Sequence, residues 1–126
     1  MSAKNEDEIK NGRIEFDMYT EHKETSDTSY FGKVAMTLAI VDASDQLVSL
    51  IITEGEFELL GVKQEKIEQY LRVNAAAMLY PYLREKLSSL TAMAGFSPYY
   101  LPSKNFVTEY EDYKEKESLK TADEQL

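Results

Sequence analysis

The chain has no cysteine, no tryptophan, a single histidine, three prolines and five glycines among its 126 residues. Without cysteine there is neither a disulfide framework nor a thiolate metal site, which fits a reducing compartment. The lone His22 stands among Glu21, Lys23 and Glu24, with no second histidine to share a metal or a proton relay. Cations are few: 14 Lys and Arg against 23 Asp and Glu give a net charge of −9. Phosphate neutralisation needs clustered Lys and Arg, so nucleic acid is not an expected partner. No apolar run approaches the roughly 18–20 residues that cross a bilayer, and the opening MSAKNEDEIKNG lacks the apolar core of a secretory signal. A cytoplasmic protein with no membrane partner is expected. There is no P-loop, no GxGxxG and no GxSxG, and acid pairs such as Glu6 with Glu8 and Glu56 with Glu58 fall in segments that read as solvated. The expectation is a protein with no catalytic residue, no metal and no cofactor, hence not an enzyme.

What is present suffices for one core. A length of 126 residues, 43% hydrophobic and 29% charged, fits a single globular domain over 1–126. Residues 1–12 read as a polar N-terminal arm and 115–126 as an acidic, disordered tail. Charge concentrates at the ends, with eight acids against four bases in residues 1–30 and seven against three in 109–126. Such a rim can steer basic or unfolded polypeptides at low salt, or serve solubility alone.

Arg13 to His22 alternates Ile14, Phe16 and Met18 with Arg13, Glu15, Asp17 and Tyr19, the period of a strand with one buried face. ETSDTS reads as a turn. Tyr30 to Val41 repeats the pattern with Val34, Met36, Leu38 and Ile40 on one face. After DASDQ, a third strand starts at LVSLIIT and runs through Glu54 and Gly55 to Phe57 and Leu59, with Gly55 expected to mark a bulge. Short polar loops between three strands imply an antiparallel meander. From Lys63 the period becomes helical, and Leu79, Tyr82, Leu83, Leu87 and Leu90 form a stripe. Pro81 costs least in a first helical turn, so the main helix is expected to start near Met78 or to kink there. Gly95 is a stop, 96–102 an extended segment, and Asn105 the cap of a last helix that carries Phe106, Tyr110 and Tyr113 on one face. The predicted class is α+β, an antiparallel sheet followed by two helices.

Tyr80, Tyr82, Phe96, Tyr99, Tyr100, Phe106, Tyr110 and Tyr113 fall within 34 residues of one another. Some of these rings pack helix on sheet. One sheet face in so small a domain cannot bury them all, and an exposed apolar stripe marks a binding surface or an oligomer interface.

The run Ala77-Met-Leu-Tyr-Pro-Tyr-Leu-Arg-Glu85, then Ala94-Gly-Phe-Ser-Pro-Tyr-Tyr-Leu-Pro102, then Asn105-Phe106, resembles the SecB protein-export chaperone family. The resemblance extends back through Gly55-Glu-Phe-Glu-Leu-Leu-Gly-Val62 and covers roughly residues 13–113. It implies an ATP-independent holdase, a homotetramer built as a dimer of dimers, that wraps unfolded or precursor polypeptides in apolar grooves and passes them to the SecA motor ATPase. By this likeness the client-binding candidates are Phe57, Tyr82, Phe96, Tyr99, Tyr100, Leu101 and Tyr110. Leu79, Leu83, Leu87 and Leu90 are the candidates for an oligomer interface. Two features depart from the family pattern. Its first strand has no counterpart here, and Leu50 stands where an acidic residue docks the motor. An adaptor role with one dedicated protein partner, as in toxin–antitoxin modules, is the competing expectation.

Overall fold

The computed structural model describes residues 12–95 and 99–124, with the side chains of 121–124 excepted. Three strands, β1 (Arg13–Ser26), β2 (Ser29–Val41) and β3 (Leu47–Leu60), form an antiparallel meander in the order β1-β2-β3. The alternation read from the sequence places Ile14, Phe16 and Met18 opposite Ile40, Leu38 and Met36. Leu38 in turn faces Ile51. Because side chains alternate across a strand, all of these share one face, and there the core forms. Val34, Met36 and Leu38 on the central strand are fully buried.

The turns follow from their residues. Asp42 accepts the backbone N–H groups of Ser44 (2.9 Å) and Gln46 (3.0 Å) through Oδ1, and Asp45 takes the left-handed conformation at φ 68°. β1 outlasts the expected end at His22, because Lys23, Glu24 and Ser26 still pair with Phe31, Tyr30 and Ser29.

No bulge occurs at Gly55, which stays in register opposite Val34; the irregularities fall between Glu24 and Ser26 and between Ile40 and Val41. The glycine serves space instead. A Cβ there would meet the Phe57 ring at 3.0 Å and Leu79 Cδ1 at 3.3 Å, so its absence lets a helix lie close on β3. Gly32 does the same on β2, where a Cβ would come within 2.7 Å of Leu71 Cδ2.

Residues 64–93 form one uninterrupted rod. A 3-10 turn (Gln64–Lys66), a short α turn (Ile67–Gln69) and a π segment (Tyr70–Ala75) lead without a break into α1 (Ala76–Met93). Ala75 and Ala76 both hold α-helical dihedrals, so the rod neither starts at Met78 nor breaks before Pro81. Pro81 sits inside α1, where it removes one N–H from the ladder. Ile67, Leu71, Ala76, Leu83 and Leu87 are fully buried against the sheet. α2 (Phe106–Glu124) is capped as expected: Asn105 Oδ1 accepts the N–H groups of Val107 (3.1 Å) and Thr108 (3.3 Å). Its backbone stays helical through Glu124, past residue 115 where the sequence reading begins the tail. The opposite face of the sheet is open, and there Val48, Leu50, Ile52 and Tyr19 are exposed.

Candidate polypeptide-binding groove

Helix α1 is amphipathic on its sheet side, and what it leaves uncovered over β1 becomes a groove. Tyr80 points from α1 toward β1. Its ring meets Phe16 edge-on at 6.2 Å and Phe106 of α2 edge-on at 5.4 Å. These three rings tie sheet, α1 and α2 together, each such pair contributing about 0.5–1.5 kcal/mol beyond area burial.

The segment 99–102 returns along α1 as a strap held by three hydrogen bonds. Tyr99 N–H donates to Thr91 Oγ1 at 2.9 Å, Arg84 Nε donates to the Leu101 carbonyl at 3.0 Å, and Tyr80 O–H donates to the Pro102 carbonyl at 2.7 Å. Thr91 is buried, and its hydroxyl also donates toward the carbonyls of Leu87 and Ser88 on its own helix. Leu101 plugs into the core beneath the strap.

Between this strap, the helix-facing side of β1 and the start of α2 lies an open cavity of about 480 Å³. Ile14, Phe16, Leu38, Tyr80, Tyr99, Leu101 and Pro102 give it apolar walls, and Ser103, Lys104, Asn105, Thr108 and Glu109 line it with polar groups. Lys104 Nζ sits 4.4 Å from the Phe16 ring centroid and 3.4 Å from Glu109 Oε1. That volume admits one or two apolar side chains of an extended chain, whose backbone would meet the polar rim. Burial pushes the Tyr80 phenol above its ordinary value, Arg84 works against that shift, and Glu109 and Tyr99 add to it. The ring therefore enters the groove wall as a neutral, donating phenol.

Of the seven expected client-binding residues, Tyr99 and Leu101 line this groove. Tyr100, beside them on the strap, is 72% exposed. Tyr82 is 70% exposed but lies on the other flank of α1. Phe57 packs against the core from β3, and Tyr110 stacks on Tyr113 along α2. Phe96 falls outside the described residues. Tyr110 and Tyr113 belong to a clamp: the Arg72 guanidinium lies 3.6 Å from the Tyr113 ring centroid, with Glu68 at 3.4 Å from its Nε. The sequence reading missed Ile14, Phe16 and Lys104 as groove residues. The alternation of β1 signalled which side Ile14 and Phe16 face, but nothing local signals that α1 stops short of covering them.

The leucine stripe expected at an oligomer interface turns inward instead. Leu79, Leu83 and Leu87 are 7%, 0% and 0% exposed, used up against the chain's own sheet, and Leu90 at 37% is the one still reachable. The exposed apolar flank of α1 holds Met78, Tyr82 and Met93 beside Leu90.

Among the described residues no group of three His, Cys, Asp or Glu side chains converges as a metal site requires, and no helix is long and apolar enough to cross a membrane. Sheet and helices form an α+β domain with an open groove beside β1. The family model for the preprotein translocase subunit SecB matches residues 2–117, and the chain belongs to the SecB family. These are chaperones, which act by binding rather than by catalysis. The protein-export protein SecB of Dichelobacter nodosus is 28% identical over 116 residues, covering 89% of this chain and 74% of the relative. That of Nitrosomonas europaea is 32% identical, covering 83% and 67%. That of Saccharophagus degradans is 29% identical, covering 71% of this chain but 55% of its own. The chain thus spans about half to three quarters of the length of these curated relatives. Among solved structures, the Mycobacterium tuberculosis Rv1957 SecB-like chaperone, in complex with a ChAD peptide from the Rv1956 HigA1 antitoxin, superposes with a TM-score of 0.52 at 20% identity. It covers 73% of each chain, and the likeness is one of fold.

Proposed function

We propose that this chain is an ATP-independent holdase of the cytoplasm that keeps non-native polypeptides from aggregating by seating their apolar side chains in the groove between β1, the 99–102 strap and α2. The observation that carries the reading is the groove itself, with Ile14, Phe16, Tyr80, Tyr99 and Leu101 as apolar walls under a rim of Lys104 and Glu109. Apolar walls suit many sequences, because burial is roughly proportional to area and needs no directional partner. Tyr100 extends the apolar surface outward from the strap, and its two-torsion side chain costs little ordering entropy on contact. The tetramer that the resemblance implies is part of this reading, with Met78, Tyr82, Leu90 and Met93 as the flank of α1 free to meet another copy.

Delivery to the export motor is not included at Leu50, since an apolar residue there contributes no charge to steering. A second reading, a chaperone dedicated to one protein partner, draws on the Mycobacterium tuberculosis relative bound to an antitoxin peptide. The test is suppression of aggregation. Added at stoichiometric ratio without ATP, the protein should slow light scattering by several unrelated unfolded proteins. Failure with all of them, alongside tight binding of one folded partner, would replace the holdase by the dedicated chaperone.

A further inference from the structure

Apolar walls alone would make the groove indifferent to charge, but a cation stands inside it. Among the described residues that line it, Lys104 is the only base and Glu109 the only acid. The Lys104 ammonium lies over the face of Phe16, 4.4 Å from the ring centroid, where the negative face of the ring attracts it. Its side chain is 23% exposed against 49% for Glu109, so the base lies deep against the apolar wall and the acid stands out on the rim. A second positive charge backs the wall. Arg84 donates to a neutral acceptor, the Leu101 carbonyl at 3.0 Å, and its guanidinium lies 6.0 Å from the Tyr80 ring centroid. Two bases against one acid make the groove locally positive in a chain whose net charge is −9.

The pairing of the Lys104 ammonium is loose. It has three N–H donors, and among the described residues it makes one hydrogen bond, to Glu109 Oε1 at 3.4 Å. A well-made charge-assisted bond of this kind is shorter, about 2.7–2.9 Å. The groove is open, which leaves the other donors to solvent. A client lying on Phe16, Tyr99 and Leu101 displaces that solvent, and a buried ammonium short of partners is costly, so the client must bring acceptors. An extended backbone brings carbonyls; a carboxylate brings acceptors and the opposite charge. A Lys or Arg at the same place sets a like charge close to Lys104 where water has been displaced, and there repulsion is strongest.

We propose that Lys104 is the specificity-determining residue of the groove, favouring extended client segments in which an acidic residue neighbours the apolar side chain that enters, and disfavouring those in which a basic residue does. The inference rests on the client-holding reading and adds its substrate class. Long-range attraction works in the opposite sense, because the net charge draws basic polypeptides. At an ionic strength of about 0.15 M that field is screened beyond about 8 Å, whereas a contact in a water-poor groove is screened much less. A preference for acidic segments is therefore not one that the overall charge of the chain can produce.

The test uses fluorescently labelled unstructured peptides that share one Leu-Phe-Leu core and differ only in the residue after it, Glu, Gln or Lys. Anisotropy titrations of the unmodified chain should rank them Glu over Gln over Lys, with about tenfold between first and last, or about 1.4 kcal/mol. Lys104→Met keeps an unbranched apolar stem for Phe16 and loses the charge, so the spread should fall below about twofold. Lys104→Arg should restore it. Glu109→Gln, which removes the ammonium's own acid, should widen the spread, and it carries the test should Lys104→Met fail to fold. Binding of all the peptides with equal affinity or with Lys favoured, or an order unchanged in Lys104→Met, would overturn the proposal and leave the client groove standing. Binding of none of them would remove the client groove, and this inference with it.

Discussion

Tyr80→Phe isolates the strap. The substitution keeps the ring and its edge-on contacts with Phe16 at 6.2 Å and Phe106 at 5.4 Å, and removes only the hydroxyl that donates to the Pro102 carbonyl at 2.7 Å. Pro102 is exposed, so its carbonyl regains water and no buried acceptor is orphaned. The loss is then a net hydrogen bond, about 1 kcal/mol, which is about a fivefold change in the equilibrium between docked and open strap. Tyr99, three residues before Pro102, reports that equilibrium, because its N–H donates to Thr91 Oγ1 at 2.9 Å. Amide exchange at Tyr99 should therefore quicken about fivefold in the variant, with client affinity falling by no more than the same factor. An unchanged Tyr99 exchange rate in a folded Tyr80→Phe protein would refute the idea that this hydroxyl holds the strap.

The strap also separates packing from contact: Leu101→Ser, at a side chain 7% exposed, should cost about 2–4 kcal/mol of stability in chemical denaturation. Tyr100→Ser, at one 72% exposed, should leave the midpoint nearly unchanged and weaken client holding in the aggregation assay. Burial leads the causes that raise the Tyr80, Tyr110 and Tyr113 phenols above the usual value. The unfolded chain ionises its phenols near 10, so the stability carried by these neutral rings is whole below about pH 10 and is lost as pH climbs past it. Denaturation midpoints measured on either side of pH 10 should show that fall, and Tyr80→Phe should lessen it. Arg72→Met should cost about 1 kcal/mol by removing the cation from the face of Tyr113, with faster exchange along α2 as the accompanying sign.

Strands and caps were legible because their causes are local. The alternation of Ile14, Phe16 and Met18, the apolar face of β2, and Asn105 before Phe106 each act within a few residues. The π segment was not, since the residue spacing of Tyr70–Ala75 reads the same as that of an α-helix. Gly55 reads as a breaker from the sequence because a glycine inside a strand so often marks a bulge. Its use here is to admit Leu79, which depends on a helix more than twenty residues away. The leucine stripe gave the right helix face for burial and the wrong neighbour, because periodicity tells that a face is covered and not by what. Tyr99 and Leu101 came from the likeness to a family, whereas Phe16, Tyr80 and Lys104 needed the tertiary crossing of β1, α1 and α2.

The central claim is tested most directly by mapping a bound client on the protein itself. Titrating the isotopically labelled chain with a permanently unfolded polypeptide, without ATP, should move the amide resonances of Ile14, Phe16, Tyr99, Leu101, Lys104 and Thr108 together. Absence of binding, or shifts confined to the open sheet face around Leu50 and Ile52, would contradict a client groove between β1, the strap and α2.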